Sequence, residues 1–362
     1  MPTSTATSTG RRMLAAAGAA LLAAALIACS PGQSAEAGPD DWTITPVRWN
    51  TALQPHAGVA DQPETVDTVT DVAFGMPVLT DDAAGGFWAM SSGSWLHIDA
   101  DGATADRFAV EAGDPLAVID AAAAISPRAL LVSRNDGRPV LSVLDTATMA
   151  LHDLPGADDD FAFGDVAVHD GRYFAVRYRP SAQGYVDYEV LRIDPADGAR
   201  SVLFTAPLAP TDAAAAAPEL PPVAIDLNDD GRVHIASPSA RIVLGVDGAV
   251  SHEQPQVADF PLVAAGPDGT ALWWGGAPRS SSVRAVTTAG SDEARAAISA
   301  HDDCVGSPHR EALTVSDSDG EHPLPFLCGA RAAVWSGGAW VVSIGGEGDG
   351  VLLRLRAPGA DD

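Results

Sequence analysis

Short apolar runs separated by tight-turn signals constrain this chain more than any other feature. The clearest unit spans residues 85–102, where the runs 87–90 and 95–98 are bounded by Gly-rich and Asp-Gly turns. This pattern predicts a β-hairpin. Because variants of it recur down the chain, the sequence predicts a repeated unit of short antiparallel strands.

The turn signals form two interleaved series. Turns between the inner strands of each unit are predicted at Gly85-Gly86, Ser126-Pro127, Asp170-Gly171, Asp230-Gly231, Asp268-Gly269 and Gly337-Gly338. Turns between the outer strands are predicted at Asp101-Gly102, Asp145-Thr146, Asp197-Gly198, Asp247-Gly248 and Ala289-Gly290. Most steps within each series measure about 38 to 50 residues. This period is typical of the four-stranded blades of a β-propeller.

The predicted fold class is therefore all-β, a single β-propeller of about six four-stranded blades. Residues 232–235, 241–246 and 351–356 alternate apolar and polar side chains at period two, as strands do. The blades are expected to begin near Thr65, Leu116, Phe161, Pro221, Phe260 and Arg331. Seven blades are the alternative if residues 311–326 form an extra unit, and a pair of β-sandwiches is the competing fold.

The last blade shows only three clear strands before the chain ends. Propellers commonly close their ring by borrowing one strand from the other terminus, and residues 42–48 have the composition to supply it. We therefore expect the ring to be closed by an N-terminal strand. By pattern, the chain from Trp42 onward resembles the NHL-like and TolB-like propellers of bacterial exported proteins. This is a resemblance of architecture, carried by no diagnostic motif.

The charge of the chain is strongly acidic. The 362 residues include 48 acidic and 21 basic side chains, all of the latter Arg, for a net charge of −27. Such a surface repels phosphate backbones, so we expect no nucleic-acid partner. It also repels anionic lipid head groups, so charge alone would not hold the protein at a membrane.

The first 28 residues have the pattern of an export signal. They contain no acidic side chain, carry Arg11 and Arg12, and continue into a sixteen-residue apolar run, residues 13–28, that ends directly before Cys29. The run is shorter than the roughly 20 residues that a membrane-spanning helix needs. Leu26-Ile27-Ala28-Cys29 resembles the lipobox of bacterial lipoproteins, which implies cleavage before Cys29 and lipidation of its sulfur. The alternatives are an ordinary signal peptide with an incidental Cys29, and twin-arginine export through Arg11-Arg12.

The resulting domain organisation is a signal peptide over residues 1–28, a flexible tether over 29–41 and a propeller over 42–362. The tether is rich in Ser, Pro, Gly, Ala and acidic residues and has no apolar period. The other two cysteines, Cys304 and Cys328, are predicted to form a disulfide, since an exported chain with one remaining pair can form one bond. We expect a monomer, anchored by palmitate and other acyl chains to the extracytoplasmic face of the cell membrane.

One segment has a candidate metal-binding pattern. Asp226, Asn228 and Asp230 place oxygen ligands at alternating positions before Gly231, as in a calcium loop. The acidic ligand expected at the end of such a loop is Ser237 here. The alternative is a hairpin turn whose side chains bond their own backbone. The principal prediction is therefore no cofactor, with calcium as the alternative.

Catalytic signatures are lacking in the sequence. It contains no Gly-x-Ser-x-Gly, Ser-x-x-Lys or His-Glu-x-x-His motif and no phosphate-binding loop, so no catalytic residue is assigned. The principal hypothesis is a non-enzymatic scaffold or module that binds a protein or small-molecule ligand. The alternative is a calcium-dependent enzyme like the propeller lactonases and sugar dehydrogenases, with its site at the central channel. Most of the hairpin tryptophans, Trp88, Trp95, Trp273, Trp274, Trp335 and Trp340, are expected between blades, and one or two of them at the channel mouth.

Overall fold

The strands of the computed structural model form six separate antiparallel sheets, of which two are extended by a parallel edge strand. All described residues belong to one unit, Ala37–Asp362. The structure describes residues 42–47, 54–55, 78–91, 94–100, 105–110, 113–134, 138–156, 161–181, 184–208, 223–256, 261–274, 288–290, 294, 313–318, 320–324, 330–344 and 351–358.

Two strands precede the first blade in sequence: β1 (Trp42–Pro46) and β2 (Gln54–Pro55). Blade 1 then runs outward through β3 (Val78–Asp81), β4 (Phe87–Ser91), β5 (Ser94–Ile98) and β6 (Ala105–Ala109), with β2 at its outer edge. Blade 2 consists of β7 (Ile119–Ser126), β8 (Ala129–Arg134), β9 (Val140–Asp145) and β10 (Ala150–Asp153). Blade 3 consists of β11 (Ala162–His169), β12 (Arg172–Ser181), β13 (Gly184–Ile193) and β14 (Arg200–Pro207).

The second half repeats this plan. Blade 4 consists of β15 (Ala224–Leu227), β16 (Val233–Ala236), β17 (Ala240–Leu244) and β18 (Val250–Pro255). Blade 5 consists of β19 (Leu262–Ala265), β20 (Ala271–Trp274), β22 (Leu313–Asp317) and β23 (Gly320–Leu324). Blade 6 consists of β24 (Ala330–Ser336), β25 (Ala339–Ile344) and β26 (Val351–Arg356), followed by β1 and then β21 (Thr288–Gly290). Two short 3₁₀ turns lie at Pro115–Val118 and Pro267–Gly269.

The innermost strands form a closed ring. Each contacts the innermost strand of the next blade, in the order β3, β7, β11, β15, β19 and β24, and β24 contacts β3 again. The fold is thus a six-bladed β-propeller, as predicted. The seven-blade alternative is wrong because β22 and β23, which fall within residues 311–326, pair with β20 and complete blade 5. The sandwich alternative is wrong because the six sheets surround one axis.

The ring is closed as predicted, by a strand from the N-terminal side of the chain. β1 pairs antiparallel with β26, with Thr43 opposite Arg356 and Pro46 opposite Leu353. The N–H of Val47 extends this ladder by donating to the carbonyl of Leu352 at 3.0 Å. Blade 6 therefore has its fourth strand from a segment about 300 residues away in sequence, which ties the two ends of the propeller together.

The predicted inner turns join the two innermost strands of each blade. Gly337 and Gly338 both have positive φ angles, +58° and +75°, which is the conformation that a two-residue type I′ hairpin requires. One predicted outer turn is wrong: Ala289 and Gly290 do not join strands of blade 5 but lie in β21, parallel to β1 at the edge of blade 6. Turn-type dipeptides also occur at strand ends, so the dipeptide alone does not distinguish a hairpin turn from the end of a strand.

The hydrophobic core lies between blades rather than within one central layer. Because side chains alternate along a strand, each blade packs on both of its neighbours. In blade 4, Ile225 and Ile235 pack against Val176 of blade 3, whereas Ala236 packs with Trp273 of blade 5. The tryptophans Trp88, Trp95, Trp273, Trp274 and Trp340 are buried in such layers, as predicted.

Several predictions concern residues outside the described part of the chain. These are the signal peptide, the tether, the lipidation site Cys29 and the disulfide partners Cys304 and Cys328. They stay predictions. Within the described residues, no helix is both long and apolar enough to cross a membrane.

Candidate functional site in the central channel

The central channel contains a cavity of about 290 Å³ to which all six blades contribute. Every blade begins with its innermost strand, so these strands run in the same direction and their carboxyl ends meet at one mouth of the channel. The cavity is lined by Leu79, Thr80 and Asp81; Ala122, Ala123 and Ala124; Asp165, Val166, Val168 and His169; Ile225, Asp226, Leu227 and Asp229; Val263, Ala265, Gly266 and Pro267; and Ala333, Val334 and Trp335.

Asp165 lies at an irregularity in the innermost strand of blade 3. The pairing of β11 with β12 shifts register between Phe163 and Val166, which marks a β-bulge. One carboxylate oxygen of Asp165, Oδ1, accepts the N–H of the adjacent Val166 at 2.9 Å. The other, Oδ2, accepts the N–H of Ile225 at 2.8 Å. Ile225 belongs to β15, so Asp165 joins the innermost strands of blades 3 and 4.

Asp226 repeats this arrangement one blade further on. Its Oδ1 accepts the N–H of Leu227 at 2.8 Å, and its Oδ2 accepts the N–H of Ala265 in β19 at 2.8 Å. Asp226 therefore joins blades 4 and 5 as Asp165 joins blades 3 and 4. Two consecutive carboxylates of the channel wall are fixed in orientation by backbone donors.

The surroundings of these carboxylates shift their ionisation toward neutral pH. Burial raises the pKa of Asp165 and of Asp226 to about 7, although the backbone N–H donors act in the opposite direction. The charges of Asp165 and Asp81 raise the pKa of Asp226 further. Burial, followed by the charge of Asp82, also raises the pKa of Asp81. The negative charge of the channel therefore depends on pH near neutrality.

The mouth of the channel at the carboxyl ends of the strands carries further polar groups. Asp81 and His169 end β3 and β11, and Asp229 lies in the turn after β15. His169 packs beside Gly231, where a Cβ would lie only 3.1 Å from the imidazole Nε2. Gly231 also has a φ of +75°, so the turn and the position of His169 both require glycine here.

Trp335 adds an aromatic residue to this lining. It is the tryptophan that reaches the cavity, and its ring meets that of Trp340 edge-on at a centroid distance of 4.7 Å. This agrees with the expectation that one or two hairpin tryptophans lie at the channel. Its contact with Trp340 holds the indole against blade 6.

The structure separates the residues of the predicted calcium loop. The carboxylate of Asp226 bonds across to blade 5, whereas Asn228 is buried in the hairpin turn, where its Oδ1 accepts the N–H of Arg232 at 3.0 Å. Asp230 is exposed in the same turn. Asn228 thus makes the side-chain-to-backbone bond that the turn alternative predicts. Across the described ranges, no group of three or more His, Cys, Asp or Glu side chains is placed to hold a metal ion.

Sequence reasoning missed Asp165 and Asp81, and it assigned Asp226 to a different role. A local signal did exist, because Asp165 and Asp226 each interrupt an apolar innermost strand and precede an aliphatic residue. Their partners, Ile225 and Ala265, lie 60 and 39 residues further along the chain. Such contacts become visible only when the blades are assembled.

His234 is a further buried titratable group that lies behind the channel wall. It is 5% exposed, and neither ring nitrogen has a hydrogen-bond partner. It stands opposite Asp226 in the β15–β16 ladder and packs on Trp273 at a ring-centroid distance of 5.5 Å. Burial, and secondarily the charge of Arg232, lowers the pKa of His234 to about 4, so the imidazole is neutral at pH 7.

Comparison with known proteins gives similarity of structure only. No protein-family model matches this chain, and no curated protein sequence matches it. Among solved structures, a gluconolactonase from Xanthomonas campestris aligns with a TM-score of 0.49 and 14% identity, over 89% of this chain and 98% of that one. The calcium-binding protein regucalcin from Agrobacterium tumefaciens aligns with a TM-score of 0.46 and 15% identity, over 85% and 97%. A luciferin-regenerating enzyme aligns with a TM-score of 0.49 and 9% identity, over 80% and 92%.

Proposed function

We propose that this protein is a lipid-anchored β-propeller on the extracytoplasmic face of the cell membrane, and that its channel binds a small ligand without chemically changing it. The observation that carries the binding role is the cavity of about 290 Å³, to which all six innermost strands contribute. A concave cavity with a few polar groups held in fixed positions is the usual form of a small-molecule site.

The geometry of the carboxylates favours binding over catalysis. Both oxygens of Asp165 and of Asp226 accept backbone N–H groups from their own strand and from the next blade. These bonds occupy one lone pair on each carboxylate oxygen, which leaves fewer positions from which Asp165 or Asp226 could exchange a proton with a bound molecule. The calcium-dependent lactonase or dehydrogenase remains the alternative hypothesis, and the binding experiment below also tests it.

Binding is tested by isothermal titration calorimetry with a panel of butylammonium, butylguanidinium, glucose, gluconolactone and Ca²⁺. Ala123→Arg should block the cavity, because Ala123 lines it. Ala147→Arg is the matched control, since Ala147 is exposed in the β9–β10 turn. We expect at least one panel member to bind wild type and Ala147→Arg but not Ala123→Arg. If no compound of the panel gave a heat of binding, or if wild type and both variants bound equally, a ligand site in the channel would be contradicted. Hydrolysis of gluconolactone that requires Ca²⁺ would favour the enzyme.

The proposed anchor is the lipidated Cys29, joined to β1 by residues 30–41. A tether between the two implies that Cys29→Ala releases the protein from membranes without unfolding the propeller. Membrane fractionation of Cys29→Ala, with Ser30→Ala as the control, tests this. Sedimentation of Cys29→Ala with membranes at high salt would contradict the lipid anchor.

The proposed export also implies an oxidised Cys304–Cys328 pair. Mass mapping after alkylation under non-reducing conditions should find both cysteines in one linked peptide. Two freely alkylated thiols would contradict the disulfide.

A further inference from the structure

We infer that the ligand of the channel is a small organic cation, an ammonium or guanidinium group on a short apolar body, with Asp165 and Asp226 as its counter-ions. This inference rests on the proposed ligand-binding function and names the chemistry of that ligand.

The charge of the cavity is negative. Four of its described lining residues, Asp81, Asp165, Asp226 and Asp229, carry carboxyl groups, and His169 is the one basic side chain among them. A net charge of −27 on the whole chain attracts cations toward any open mouth. Both the local and the global field therefore favour a positively charged ligand.

The two bridging carboxylates keep acceptor capacity for a ligand. A carboxylate has about four lone-pair sites, and each bridging carboxylate uses two of them for backbone N–H groups. The remaining sites are held in a fixed orientation at the cavity. An ammonium group with three donors, or a guanidinium with five, can satisfy them without movement of the protein.

The rest of the lining fits an organic body better than a bare metal ion. Calcium takes six to eight oxygen ligands. Apart from the acidic side chains, the described lining residues are mostly Ala, Val, Leu, Ile, Gly and Pro, and Thr80 supplies the one hydroxyl among them. These side chains can contact the methylene groups of a short organic body, although carboxyl and backbone groups make up most of the exposed wall, and Trp335 offers an aromatic ring to a cation.

The size of the cavity limits the ligand. At about 30 Å³ of liquid volume per water, 290 Å³ corresponds to on the order of ten water molecules. A ligand with roughly ten non-hydrogen atoms or fewer is therefore expected. Butylammonium and butylguanidinium fall within this limit and carry both the cationic head and the apolar body.

Cation binding should depend on pH, since the counter-ions titrate near neutrality. The groups that face Asp226 are Asp165, Asp81, Asp229 and His169 around the cavity, and His234 behind it; the described lining residues of β7, β19 and β24 carry none. With pKa values of about 7 for Asp165 and Asp226, the ionised fraction of each rises about tenfold between pH 6 and pH 8. The affinity for a cation should therefore rise about tenfold if one carboxylate must be ionised and up to about a hundredfold if both must be.

The test is calorimetric titration of butylammonium at pH 6 and pH 8, with butanol as the neutral ligand of the same shape. Asp165→Asn/Asp226→Asn removes the counter-ions. Asp194→Asn/Asp197→Asn is the matched control, because both residues are exposed and the change of net charge is the same. Thermal unfolding verifies that each variant folds, and Asp226→Asn alone replaces the double variant if that one does not.

We expect butylammonium to bind wild type and the control at least about tenfold more tightly at pH 8 than at pH 6. Butanol should not bind, and Asp165→Asn/Asp226→Asn should bind the cation at least about tenfold more weakly. Trp335→Leu should weaken it roughly threefold. Equal cation binding by the two double variants, or binding of butanol, a sugar or Ca²⁺ in place of the cation, would overturn the inference while leaving a ligand site in the channel. No binding of any of these compounds would overturn the proposed function itself.

Discussion

Two kinds of junction between neighbouring blades of this propeller differ in their chemistry. Between blades 3 and 4 and between blades 4 and 5, a half-buried carboxylate accepts a backbone N–H of the next blade. Between blades 2 and 3 the hydroxyl of Ser133 donates to the carbonyl of Gly164 at 2.6 Å, and between blades 6 and 1 that of Ser336 donates to the carbonyl of Gly85 at 2.9 Å. The first kind places a charge in the wall, and the second does not.

This difference indicates that the carboxylates are not needed merely to hold the ring. A buried hydroxyl with one hydrogen bond is much cheaper to desolvate than a carboxylate. The burial that raises the pKa of Asp165 and Asp226 to about 7 is the sign of that cost. Since a serine hydroxyl serves at two other junctions, the proposed binding of a cation gives the charge of the two acidic junctions a role of its own.

The largest effect is expected where β1 closes blade 6. This closure depends on backbone hydrogen bonds between β1 and β26 and not on a carboxylate or serine side chain. Deleting residues 42–49 removes β1 and the buried side chains of Trp42, Ile44 and Val47. At about 1.5–3 kcal/mol for each buried side chain, the loss should lower Tm by more than about 10 °C. Deleting residues 30–40 is the control and should change little. Equal Tm values in differential scanning calorimetry would contradict closure by β1.

Replacing the two junction carboxylates by amides should raise the free energy of unfolding relative to wild type as pH rises. A folded-state pKa of about 7, above the usual 3.8, means that these groups stabilise the fold fully below pH 4 and that this contribution is lost as pH rises to 7. Asp165→Asn/Asp226→Asn should therefore gain on wild type by about 2 kcal/mol or more between pH 5 and pH 7. Urea unfolding at both pH values measures this. A difference that stays constant with pH would show that the two carboxyl groups titrate normally.

The serine junctions should show a smaller effect that does not depend on pH. Ser133→Ala leaves the carbonyl of Gly164 without its donor and should cost about 1–2 kcal/mol of unfolding free energy. The matched control is Ser201→Ala, at an exposed position in β14. If Ser133→Ala instead showed the pH dependence of the carboxylate variants, the two kinds of junction would not be distinct.

The smallest effect is expected at His234, beside the acidic junction of blades 4 and 5. Its pKa of about 4, below the usual 6.5, means that its contribution to stability is present above pH 6.5 and is lost as pH falls toward 4. His234→Phe should gain about 1 kcal/mol on wild type between pH 6.5 and pH 5. This slope is opposite in sign to that of the carboxylates. Urea unfolding between pH 5 and pH 6.5 measures this. If the unfolding free energies of the variant and wild type changed equally over this range, a buried neutral imidazole would be contradicted.

The architecture was predictable because its signals are local. Turn dipeptides and period-two runs located the blades, and the missing fourth strand of the last blade pointed to residues 42–48. The predicted turn at Ala289-Gly290 failed because the same residues suit the end of a strand. The channel carboxylates were missed for a different reason, since their partners are supplied by the next blade. The sequence showed an acidic residue in an apolar strand but not what it would bond.

The most direct test of the central claim is the titration of Asp226 itself, followed by carbon-13 NMR of labelled aspartate with and without butylammonium. Ionisation of the carboxylates strengthens binding of the cation, and by linkage the bound cation must lower the pKa of the carboxylates. The two effects correspond to the same coupling free energy. The account predicts a pKa of about 7 without the cation and a lower pKa with saturating butylammonium. An unchanged titration curve in the presence of bound butylammonium would contradict the account.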